Sequence, residues 1–81
     1  MWFALKDQLL QVDNENVRCI SVRESDHGYY IYIGRDINVD ENDLKISADS
    51  RAEADAIFEK ICLDISKNRK FIDLRDVEDN G

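Results

Sequence analysis

The hydrophobic period of this chain changes at Ser50, and that change limits what the chain can fold into. Before Ser50, short stretches rich in β-branched and aromatic residues alternate apolar with polar positions. That is the period of a strand with two different faces. After it, Ala54, Ile57, Phe58, Ile61 and Ile65 recur at three- and four-residue steps, which is one apolar stripe on an amphipathic helix. Several strands followed by a single helix predict an α+β fold.

Turn residues place the strands. The chain has no proline and only three glycines, so its turns rely on Asp, Asn and Ser. Asp7-Gln8, Asp13-Asn14-Glu15-Asn16, Ser25-Asp26-His27-Gly28 and Asp40-Glu41-Asn42-Asp43 punctuate it. Strands are expected at 2–6, 9–12, 17–24, 29–34 and 44–48. Short links between successive strands favour antiparallel pairing, so the expectation is a meander of four or five strands with the helix across one face. Ser25–Gly28 is the clearest hairpin, because Gly28 can take a positive φ at little cost.

Alternation then assigns faces. Ile20, Val22, Ile31 and Ile33 share one side and form the expected floor for the helix. Val17, Cys19, Tyr30 and Tyr32 share the other side, which one helix cannot also cover. Ser50 and Glu53 fit a capping box at the helix start, and Asn68 is a suitable stop. The helix should span ~27 Å at ~1.5 Å per residue. Phe71, Ile72 and Leu74 suit a last edge strand. Residues 1–75 are expected to form one domain and 76–81 an acidic flexible tail.

Charge bears on partners. Eleven Lys and Arg against 18 Asp and Glu leave −7 in 81 residues, while a 43% hydrophobic fraction is enough for a core. Phosphate neutralisation drives nucleic-acid binding, so direct contact with DNA or RNA is not expected. Lys67, Arg69 and Lys70 form the one basic knot, placed where cations meet the carbonyl end of the helix. No apolar run approaches the ~20 residues of a membrane span. Met1–Leu5 meets Lys6-Asp7 too early for a signal peptide. The reading is a cytoplasmic protein with no membrane partner, in which Cys19 and Cys62 are reduced thiols.

Motifs for chemistry are sparse. No CxxC or Cys/His cluster supplies a zinc site. His27 sits beside Asp26 in a turn, without a positioned nucleophile, and reads as a solvated turn residue. Neither a nucleophile elbow nor a glycine-rich phosphate loop occurs. Asp36-Ile37-Asn38-Val39-Asp40 matches the start of an EF-hand loop. The match then fails, because Glu41 stands where the turn needs glycine and Ser47 where a bidentate Glu is needed. The expectation is no enzyme, no metal and no cofactor.

Acidity is concentrated in Asp36, Asp40, Glu41, Asp43 and Asp49, and again in Asp73, Asp76, Glu78 and Asp79. Fringing charge of this kind protects strand edges and keeps a chain soluble. It also steers association with a basic surface. Paired with the tyrosines of the uncovered sheet face, it predicts a partner-binding set of Tyr30, Tyr32, Asp36, Asp40, Glu41 and Asp43. The partner would be another protein with a basic surface. The alternatives are a homodimer burying the Tyr30/Tyr32 face, or a small-ligand binder using that face.

The layout of strand meander plus one capped helix, with Asp49-Ser50-Arg51-Ala52-Glu53-Ala54 opening the helix, resembles many small bacterial and phage proteins. That resemblance implies an inhibitor of a host enzyme that handles nucleic acid, of the anti-CRISPR or anti-restriction kind.

Overall fold

The structure, a computed structural model, describes residues 1–36, 43–75 and 77. In chain order the elements are β1 (Trp2–Ala4), β2 (Leu9–Gln11), a 3-10 turn (Asn14–Asn16), β3 (Cys19–Ser25), β4 (Gly28–Gly34), β5 (Leu44–Ala48), α1 (Arg51–Ser66) and β6 (Phe71–Asp73). The expected tail, apart from Val77, lies outside the described residues, as do Ile37 to Asp40 of the EF-hand-like stretch.

The fold is α+β, but the strands do not form one meander. They form two three-stranded sheets, ordered β2-β1-β6 and β3-β4-β5. The second is the expected antiparallel meander, pairing Ile20 with Ile33 and Val22 with Ile31, then Ile31 with Ile46 and Ile33 with Leu44. The first joins the N-terminal hairpin to the strand after the helix. β1 pairs antiparallel with β2 and parallel with β6. Between β2 and β3 the chain turns through Asn14–Asn16 and does not continue the ladder. Burial accounts for the split. One helix cannot seal five strands, whereas a second small sheet can close the core from another side.

Phe3, Leu10 and Ile72 stand in one row across the small sheet, and Phe3 and Ile72 are fully buried. Phe3 and Ile72 meet Ile31, Ile33 and Ile46 of the large sheet and Ala54, Ile57 and Ile61 of α1 in a single cluster. Each large side chain buried there contributes about 1.5–3 kcal/mol. The helix lies over the face carrying Ile20, Val22, Ile31 and Ile33, as alternation predicted.

Both helix ends follow from local sequence. Ser50 Oγ accepts the Glu53 N–H at 3.1 Å, and Glu53 Oε2 accepts the Asp49 N–H at 3.0 Å. The return bond therefore falls one residue earlier than in a standard capping box. At the other end Asn68 takes φ 58°. There its N–H meets Ile65 O at 2.9 Å and the Arg69 N–H meets Asp64 O at 2.9 Å, the paired bonds of a Schellman stop. Asp64 also turns its carboxylate inward, 2% exposed, towards Lys60 Nζ at 3.1 Å and Arg69 Nε at 3.7 Å. Arg69 of the basic knot thus serves a buried acid, since an unpaired charge there would be costly.

Candidate functional site

Tyr32 is on the sheet face away from the helix, as its phase requires, yet it is fully buried. This corrects the expectation that Tyr30 and Tyr32 together form an open surface. The ring lies along the sheet over Gly34. A Cβ at that position would stand 2.6 Å from Tyr32 Cζ and 2.7 Å from an Asp43 carboxylate oxygen. Arg23 of β3 covers the ring with its guanidinium 5.2 Å from the centroid, and its Nε donates to Ser21 Oγ at 3.1 Å. Such stacking holds a cation over an aromatic face while screening it from water.

The Tyr32 hydroxyl reaches the far end of this arrangement. It donates to Asp43 Oδ2 at 2.5 Å and stands 3.1 Å from the Asp36 carbonyl. A hydrogen bond to a carboxylate is short and strong. One phenol therefore ties residues 36 and 43, both within the acidic stretch. The structure brings together Tyr32, Asp36 and Asp43 of the expected binding set, in contacts internal to the chain. Tyr30 lies on the same face, half-buried and opposite Arg23 and Ser47. Asp40 and Glu41 lie outside the described residues.

Folding gathers further acids beside this stretch. β2 is the edge of one sheet and β5 the edge of the other, and two clefts lie between the N-terminal hairpin and β5. One, of about 370 Å³, has the turn Leu5–Gln8 on one wall and Lys45, Ile46 and Ser47 on the other. The second, of about 350 Å³, runs from Leu10 to Asp13 on one wall and meets Ile33, Asp43 and Leu44 on the other. Asp7, Asp49 and Glu53 line the first and Asp13 and Asp43 the second, against Lys6 and Lys45. Asp7 and Asp13 sit in turns far from residues 36–49 in sequence. Only the register of the N-terminal hairpin could have hinted at their approach, so sequence reasoning missed them.

A second surface was missed for a similar reason. Trp2 and Phe71 are register partners on the outer face of the small sheet, with Leu9 beside Ala4 on the same face. They are 39%, 49% and 54% exposed, three of the four large apolar side chains left in water among the described residues. Single exposed apolar residues are ordinary, but a contiguous group marks a contact surface.

Other groups are quieter. His27 is exposed in its turn, where its backbone N–H donates to Ser25 Oγ at 3.3 Å. Cys19 and Cys62 are free thiols. Among the described residues no helix is long and apolar enough to cross a membrane. At the end of β6, Arg75 Nε and Nη2 grip the Asp73 carboxylate at 2.9 and 2.8 Å. That bond, aided by the Arg75 N–H and charge, holds the acid at about 2, below the ordinary 3.8. No family model, curated protein or solved structure matches this chain.

Proposed function

We propose that this chain is a small acidic, non-enzymatic protein-binding module whose partner presents a basic surface. The supporting observation is the convergence of acids from three parts of the chain on the seam between the N-terminal hairpin and β5: Asp7 and Asp13, Asp43 and Asp49, and Glu53. Like charges concentrated on one side speed encounter with a basic partner and disfavour acidic competitors. In its specific form the module is a phage or mobile-element inhibitor that covers the basic groove of a nucleic-acid-handling enzyme. The test is capture from bacterial lysate with the native chain and with the double variant Asp7→Lys/Asp13→Lys. Both sites are exposed, so the fold should hold. The reading expects a partner eluted by moderate salt from the native chain and absent from the variant. An identical set of captured proteins from both would end it.

A second reading, a homodimer, is favoured by a different surface from the one expected. Tyr32 is covered from within, whereas Trp2, Leu9 and Phe71 form an open apolar face on the small sheet. Two copies could bury that face against each other.

A further inference from the structure

We propose that the seam receives an extended, lysine- or arginine-bearing segment of the partner, which adds as a strand to the free edge of β5. This rests on the acidic-module reading above and gives it a binding mode. β5 pairs with β4 along one side only, and among the described residues nothing pairs with its other side. A free edge presents unpaired backbone donors and acceptors, the template that peptides use when they add to a sheet. Five residues, Leu44–Ala48, offer ~17 Å of ladder at ~3.4 Å per residue.

The clefts indicate why this edge is favoured. β5 has open space beside it at both ends, bounded on the far wall by the N-terminal hairpin, so an incoming strand would be held from two sides. Ile46 and Leu44 provide apolar floor, while Asp7, Asp13 and Asp49 stand where the side chains of the incoming strand would pass. A segment alternating basic with apolar residues matches that lining, because successive side chains of a strand point to opposite sides. β5 itself carries Lys45 and Lys6 lines the first cleft, but Asp7, Asp13, Asp43 and Asp49 outnumber them along the seam. The longer edge of β3, by contrast, follows Arg18 and carries Arg23 beside a single acid, Glu24.

The probe is an end-capped eight-residue peptide alternating Lys with Val or Thr. Two twins are N-methylated on alternate amides, one in each phase. Methylation keeps every charge and removes the ladder donors. The expected result is binding of the parent that weakens with salt, with at least one twin weaker by tenfold or more. Amide exchange along Leu44–Ala48 should also slow when the parent is bound. If the parent and both twins bind equally, charge attraction stands and strand addition is overturned. If none binds even at low salt, the acidic-module reading fails along with it.

Discussion

The two sheets solve the same problem in different ways. Each turns one apolar face to the common core, and each has an outer face that the single helix cannot reach. On the large sheet a few side chains cover the largest group on that face, Tyr32. Tyr32 lies flat over Gly34, Arg23 stacks on its ring, and its hydroxyl is bonded to Asp43 and close to Asp36. On the small sheet Trp2, Leu9 and Phe71 stay in water. A large side chain on an outer sheet face therefore needs no second layer of secondary structure to become buried, even where its neighbours Lys45 and Ser47 stay exposed. It needs a neighbour without a side chain for a ring to lie on, and charged groups to satisfy the polar end.

Gly34→Ala breaks this comparison most directly. The new methyl would occupy space held by the Tyr32 phenol and force the ring off the sheet. Overpacking of this kind costs about 1–3 kcal/mol. Chemical denaturation should show that loss, together with faster amide exchange near residues 36 and 43. Unchanged stability would mean the ring does not depend on Gly34.

Phe71→Thr sharpens the other half. The side chain is half exposed and threonine suits a strand, so the cost should be under about 1 kcal/mol. On the homodimer reading, the native chain has twice the monomer mass in solution and the variant shifts towards monomer. A native chain of single mass at high micromolar concentration would remove that reading.

The smallest effect concerns acid. Asp73 titrates at about 2 in the fold because Arg75 bonds its carboxylate. A lowered folded value means its contribution to stability is whole above about 3.8 and fades as pH falls towards 2. Carboxyl NMR should find that low midpoint in the native chain and a return towards 3.8 in Arg75→Gln. An unchanged midpoint would show that Arg75 is not its cause.

Where alternation and capping chemistry act locally, the sequence was a reliable guide. β4 and β5 fall at 28–34 and 44–48, the stripe of Ala54, Ile57 and Ile61 faces the core, and Ser50 and Asn68 bound the helix. Phe71–Asp73 is an edge strand, as its apolar run suggested. The partner of that strand was not legible. Three residues of β1 can pair on either side, and nothing local says that β6 would run parallel to β1 in place of a continued meander.

The candidate site divides along the same line. That Tyr30 and Tyr32 share a face, and that acids cluster near residues 36–49, follows from period and composition. That Tyr32 would be sealed beneath Arg23 does not follow, because alternation assigns a side and says nothing about what covers it. Asp7 and Asp13 join the acidic seam only because the N-terminal hairpin folds back beside β5. Strand phase and helix caps depend on neighbours within a few residues, so the sequence alone determined them. Sheet membership, burial of Tyr32 on the outer face and convergence of distant acids depend on contacts across the whole chain, and only the tertiary structure could decide them.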